Sequence, residues 1–139
     1  IELAKEYELP IVIHCRDAFD EVFEVLDQQK SPELYGIFHC FTGDLMQAKR
    51  AIDLNFKLGI GGVITYKNGK IDKFLNELPL KSIVLETDSP YLSPKPYRGK
   101  RNESSYLTLI LNKVAECYQI PINELAAITT QNAVDTFKI

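Results

Sequence analysis

Short apolar, β-branched runs alternate with amphipathic segments along the whole of this 139-residue chain, and that alternation constrains its fold more than any other feature. The runs are Pro10-Ile11-Val12-Ile13-His14, Gly36 to Phe41, Phe56 to Ile64, and Ser82 to Glu86, the last continuing into Thr87-Asp88. They are apolar nearly throughout, the pattern of strands covered on both faces in a parallel sheet. A helix is expected from about Asp17, its N-cap, with Ala18, Val22, Val25 and Leu26 on one face. Asp44 is expected to cap a second helix that buries Leu45, Ala48 and Ile52. A short third helix is expected from Lys70 to Leu78, ended by Pro79. After a proline-rich loop and the basic stretch Arg98-Gly99-Lys100-Arg101, Asn102 is the expected cap of the longest helix. Its face Leu107, Ile110, Leu111, Val114, Ala115 and Tyr118 repeats with helical period, and a final helix is expected from about Asn123.

The strand ends fall at a steady pitch. His14 to His39 is 25 residues, His39 to Gly61 is 22, and Gly61 to Asp88 is 27, one βα unit per step. Four such units make half a (β/α)8 barrel, and a four-stranded doubly wound sheet fits the pattern equally well. Gly59, Gly61 and Gly62 in the third run predict a bulge or a close backbone approach.

An apolar share of 45% and a charged share of 25% exclude a disordered or low-complexity chain. No run approaches the ~18–20 apolar residues of a membrane span, and no signal-peptide pattern opens the chain. Cys15, Cys40 and Cys117 are odd in number and lack a CxxC spacing, which points to a reducing, cytoplasmic setting. The net charge of −3 exerts no pull toward nucleic acid, so a polyanionic substrate requires a metal ion or a local basic patch. The chain opens on Ile1, and residues 2–9 read as the tail of a helix already under way, as expected of a piece of a longer protein.

The residues able to carry chemistry stand at strand ends. His14, His39 and Asp88 each close a run, and the carboxyl ends of parallel strands form the functional face. Alternation puts Glu86 on the same face as Asp88. Two imidazoles and a carboxylate are suitable ligands for a divalent cation such as zinc or manganese, and a carboxylate beside such an ion can take a proton from water. Each residue also has a plain structural reading: a satisfied histidine, an ion-paired Glu86, an Asp88 that starts a turn. The chain's only two histidines both end strands, however, which favours the joint site. Alternation turns Cys15 and Cys40 to the opposite face as packing residues. The residues alone lead as far as a metal-dependent hydrolase.

Four ordered motifs are more specific. Pro10-Ile-Val-Ile-His-Cys-Arg-Asp-Ala18, Phe38-His-Cys-Phe-Thr-Gly43, Glu86-Thr-Asp-Ser-Pro-Tyr-Leu92 and Arg98-Gly-Lys-Arg-Asn-Glu103 closely resemble the TatD family of metal-dependent deoxyribonucleases, and Thr130-Gln-Asn-Ala133 is similar to its C-terminal pattern. The resemblance runs end to end. It implies the C-terminal half of a TIM-type (β/α)8 barrel of the metal-dependent hydrolase superfamily. Residues 1–139 would then form a single partial domain, strands five to eight and the C-terminal helices, without the N-terminal half. It implies that His14, His39 and Asp88 bind metal, with Glu86 in the active site beneath and Asp88 orienting or deprotonating the attacking water. The implied cofactors are divalent ions (Mg, Mn or Zn), two in the intact enzyme, and the implied reaction is hydrolysis of DNA, often exonucleolytic.

Arg16, Arg98, Lys100, Arg101 and Asn102 are the expected substrate-binding residues, Arg98 foremost, since guanidinium groups match phosphate geometry. The family's His-x-His pair and its Gly-Glu-x-Gly-Leu-Asp motif are absent from these 139 residues, and Ser104 stands where the family has proline. Two alternatives remain: another hydrolase of the superfamily, acting on an amide or lactone, and a non-catalytic fragment. The outer strands of a half barrel leave backbone unpaired, so self-association is expected.

Overall fold

Four strands pair in a single parallel sheet in the computed structural model, which describes residues 1–139. They are β1 (Ile11–His14), β2 (Gly36–His39), β3 (Phe56–Ile60) and β4 (Ile83–Leu85), and their order in the sheet is β1-β2-β3-β4. The helices are α1 (Glu2–Glu6), α2 (Phe19–Gln28), α3 (Leu45–Asp53), α4 (Leu107–Tyr118) and α5 (Ile122–Phe137). Each crossover steps to the next strand in the same direction. With right-handed crossovers, that order keeps the helices on one side of the sheet, as in a barrel wall. A doubly wound sheet needs a reversal of order, and there is none. The chain is half of a (β/α)8-type barrel.

Strand register sorts the side chains into two faces. Ile13, Phe38, Leu58 and Ile83 are aligned across the sheet and face the helices, with Phe56 and Ile60 beside them. Phe19, Phe23, Phe38, Phe41 and Phe56 form a continuous aromatic cluster, with centroid separations from 5.4 to 6.4 Å in mostly tilted or edge-on pairs. Such pairs add about 0.5–1.5 kcal/mol each beyond their burial. The other face carries Val12 and His14, Ile37 and His39, Gly59, Val84 and Glu86. Val12 on it is 59% exposed, because β1 and β4 each have a neighbour on one side only and the sheet does not close.

Several local expectations shift. Asp17 does not cap α2: it takes a left-handed backbone (φ 57°) and the helix starts two residues later, after Ala18. Its buried face is Phe19, Phe23 and Leu26, leaving Val25 49% exposed. Asp44 does cap α3, in a reciprocal capping box with Gln47. The third strand ends at Ile60 and gives way to a 3-10 turn at Gly62–Thr65. The segment Lys70 to Leu78 is two 3-10 turns rather than a helix, since it is too short to propagate and has no side-chain cap. Asn102 caps nothing: a 3-10 turn, Ser104–Tyr106, separates it from α4, and α5 is the longest helix. No helix is long and apolar enough to cross a membrane.

A candidate metal centre at the carboxyl ends of the strands

His14 and His39 are register partners on adjacent strands, and their rings lie 5.8 Å apart. His39 is the hub of the site. Its Nδ1 is 2.9 Å from Glu86 Oε1, and its Nε2 is 3.2 Å from Asp88 Oδ1. Glu86 Oε1 also accepts a 2.7 Å hydrogen bond from the backbone N–H of Cys40. Glu86 directly follows β4, its N–H still bonded to Ile60 O, and His39 ends β2, so the carboxylate must cross β3 to reach its partners. Gly59 makes this possible: a Cβ there would collide with Glu86 Oε2. The glycine run is thus a close approach, as its composition suggested: the Glu86 carboxylate lies against Gly59, and the Leu92 backbone carbonyl occupies the place a Cβ of Gly62 would take.

Two left-handed residues complete the geometry. Cys40 (φ 45°) turns the chain directly after His39 and aims its amide at Glu86. Asp88 (φ 58°) starts a turn closed by Tyr91 N–H donating to Asp88 O at 2.9 Å, and aspartate tolerates this backbone better than most residues. Burial pushes the Glu86 carboxyl above its usual range, opposed by His39 and by the Cys40 amide. Burial, reinforced by Glu86 and Asp88, pushes the Cys40 thiol up to about 11. Cys15 lies in the core as expected, whereas Cys40 sits against the site's carboxylates.

The donor chemistry fits a divalent cation. A neutral imidazole has one N–H. If Nδ1 donates to Glu86, the Nε2 lone pair faces a carboxylate oxygen, and a cation between them satisfies both. Two donor atoms 3.2 Å apart match neighbouring ligands on one ion with bonds of about 2.0–2.1 Å. A carboxylate behind the other ring nitrogen is the usual arrangement around a ligating histidine. The set is nonetheless incomplete, because no three His, Cys, Asp or Glu side chains of this chain converge to hold an ion by themselves.

The expected substrate-binding residues divide. Arg16 is exposed on the loop after β1, close enough for its charge to act on Cys40. The Arg98 guanidinium lies 4.5 Å over the ring of Tyr66, whose hydroxyl donates to Ser93 O. Lys100 Nζ is 5.9 Å from the centre of the Tyr97 ring, and Arg101 is exposed. Asn102 is a correction. It is 2% exposed, its amide nitrogen donates to Thr87 O and Tyr91 O at 2.6 Å each, and its oxygen accepts from Glu103 N. Buried, and with both amide hydrogens engaged, it pins the loop and has no free donor for a phosphate. Asn132 does similar work in α5, donating to Leu80 O and Ile83 O at 2.8 Å each behind β4. Sequence reasoning misses Tyr66, Tyr91 and the Cys40 amide; Tyr91 and Cys40 lie inside the Glu86–Leu92 and Phe38–Gly43 motifs, and Tyr66 carries no sequence signal.

A cleft of about 450 Å³ along the segments that follow β1 and β2 is lined by Asp17, Asp20, Glu21 and Asp44 against the single cation Lys70, a balance wrong for an anion.

Comparison with known proteins gives the same direction. The model of the TatD related DNase family matches residues 1–138. The uncharacterized metal-dependent hydrolase YabD of Bacillus subtilis (strain 168) is 44% identical over 140 aligned residues, which cover 100% of this chain and 55% of YabD. The crystal structure of YJJV, a TatD homolog from Escherichia coli K12, superposes with a TM-score of 0.92 at 32% identity, over 99% of this chain and 53% of that one. A TatD family hydrolase from Entamoeba histolytica shares the fold, with a TM-score of 0.85 at 18% identity and 53% of its length covered. The chain therefore spans about half the length of the relatives it matches. Along that half, the chain belongs to the TatD related DNase family.

Proposed function

We propose that this chain supplies part of the active-site mouth of a divalent-metal-dependent hydrolase that cleaves DNA phosphodiester bonds, acting from strand ends. The observation that carries the reading is His39 held between Glu86 and Asp88, with its Nε2 and the Asp88 carboxylate 3.2 Å apart. His14, His39 and Asp88 would hold the ion. A divalent ion, once bound, supplies an acidified water and neutralises charge at phosphorus. Glu86 fixes the ring of His39 and is a positioning residue. Asp88, partly exposed at the mouth, orients the attacking water and takes its proton. Arg16 and the cations Arg98, Lys100 and Arg101 hold the scissile and flanking phosphates, Arg98 with its guanidinium oriented by Tyr66. DNA is favoured over an amide or lactone by those four cations in a chain of net charge −3.

Three donors underfill a four-coordinate site. We propose that the remaining ligands, and a second ion, come with the structure that covers the open edges of β1 and β4. In the isolated chain a second copy takes that place. The free thiols of Cys15, Cys40 and Cys117 suit a reducing compartment, and the cytoplasm is the setting we propose.

The test is manganese- or magnesium-dependent release of nucleotides from a DNA oligomer, with Asp88→Asn as control and a cyclic amide and a lactone as competing substrates. Release that disappears in the variant supports the reading. Hydrolysis of the amide or lactone alone would replace it with the sister chemistry. Silence on all substrates, with no metal binding by calorimetry, would leave a non-catalytic fragment.

A further inference from the structure

We propose that Tyr91 is a stacking platform for the unpaired terminal base of a single-stranded DNA end; the proposal rests on the phosphodiesterase reading above and names the form of DNA it takes. Tyr91 is 71% exposed, yet it stands on a turn held by four hydrogen bonds. Its N–H donates to Asp88 O, and the buried Asn102 side chain donates to Tyr91 O and Thr87 O, while Asn102 N–H donates to Pro90 O at 3.0 Å. The backbone is therefore fixed three residues from a candidate metal ligand, while the ring contributes little to the core. An aromatic face presented this way binds a flat partner without a further ordering cost in its backbone.

The rest of the same loop supplies the charge. Lys95, Arg98, Lys100 and Arg101 put four cations within residues 95–101 with no carboxylate among them. Two of these cations are ordered by aromatic rings: Arg98 on Tyr66, and Lys100 near Tyr97, which itself stacks on Tyr106 at 4.3 Å with 4° between the planes. The guanidinium of Arg98, held over a ring face rather than in a salt bridge, keeps its N–H donors for phosphate oxygens. Aromatic faces for bases alternating with cations for the backbone are how single strands are gripped without regard to sequence. A base paired inside a duplex keeps both faces covered by its neighbours and cannot reach Tyr91. An unpaired end can.

The experiment is fluorescence anisotropy at low ionic strength in EDTA, which prevents cleavage and keeps metal out of the readout. The probes are a labelled thymidine oligomer, the same oligomer with abasic ends, and a blunt duplex, each against the wild-type chain, Tyr91→Leu, Tyr91→Phe and Arg98→Gln/Lys100→Gln. The intact single strand is expected to bind about 5- to 150-fold more tightly than the abasic one, the range that stacking of one base on one ring supplies. Tyr91→Leu should lose that ratio and Tyr91→Phe should keep it. The double cation variant should weaken intact and abasic strands alike. Equal binding of intact and abasic strands by the wild type, or an unchanged ratio in Tyr91→Leu, overturns the stacking proposal and leaves the phosphate reading standing. No binding of any strand by the wild type overturns both.

Discussion

Replacing Gly59 with alanine tests the geometry of the site without touching any candidate ligand. The Glu86 side chain crosses β3 over Gly59, and an added Cβ would collide with its Oε2 while lying 3.2 Å from Phe38 O. The φ of Gly59 is outside the left-handed region, so alanine brings no backbone strain of its own. Displacing Glu86 removes its bonds to His39 Nδ1 and Cys40 N–H. Hydrogen bonds to a charged group contribute about 1.5–3 kcal/mol each. Both partners are partly exposed and water recovers much of the loss, leaving a net cost of about 2–3 kcal/mol. Alanine in a strand returns roughly 0.5–1 kcal/mol relative to glycine, so Gly59→Ala should destabilise by about 1–2 kcal/mol. With Glu86 already removed, only the alanine gain and the tight Phe38 contact remain. Gly59→Ala in a Glu86→Ala background should then be neutral, or stabilising by up to about 1 kcal/mol. Urea unfolding of the four proteins gives the coupling, expected near 2 kcal/mol. A coupling below roughly 0.5 kcal/mol, the scatter of independent sites, would show that Glu86 does not depend on Gly59 and would refute the reasoning.

Asn102→Ala should cost about 2–4 kcal/mol, since it orphans two carbonyls near a buried site. Asn102→Asp should be no better, because a carboxylate cannot donate to Thr87 O and Tyr91 O; thermal melts and limited proteolysis of residues 88–101 check both. The Cys40 thiol gives a pH signature. Its folded value of about 11 lies above the ordinary 9.0, so the folded state holds its proton after the unfolded state has lost it. Stability should fall as pH rises from 9 through 11, and Cys40→Ala should remove roughly 1–2 kcal/mol of that decline. The comparison must be made between the two proteins, because burial also raises Tyr118. Alkylation of Cys40 in the folded chain should stay slow at pH 8. For the open edges, sedimentation should show concentration-dependent association, weakened by Val12→Lys on the exposed face of β1. A wild-type monomer at high concentration would count against closure by a second copy.

Much of this molecule is local in origin and was readable as such. The four strands, their parallel arrangement and the placing of His14 and His39 at one end of the sheet follow from period and pitch, because parallel strands bring their carboxyl ends together whatever the side chains do; Asp88 reaches His39 from the left-handed turn that follows β4. The α3 cap was equally legible, since Asp44 and Gln47 satisfy each other within one turn. The half barrel itself was half legible: pattern alone left a doubly wound sheet open, and the strand order settled it. Where expectations failed, a distant partner had intervened. On α2 the expected Ala18, Val22 and Leu26 do pack on the core; only Val25 turns outward, because Phe19 and Phe23 rotate the helix toward Phe38 and Phe41 on the same side of the sheet. Asn102 looked like a cap and a phosphate ligand because both roles suit an amide after a basic loop, but two carbonyls 15 and 11 residues upstream claimed it. The passage of Glu86 over Gly59 to His39 joins three strands and has no counterpart in any stretch of sequence. Periodicity and chain direction locate the four strands, the principal helices and the end of the sheet where chemistry collects, but not the 3-10 turns of residues 62–82. Tertiary structure alone decided which polar atoms face one another, since a hydrogen bond is specified to a fraction of an ångström by groups the chain keeps far apart.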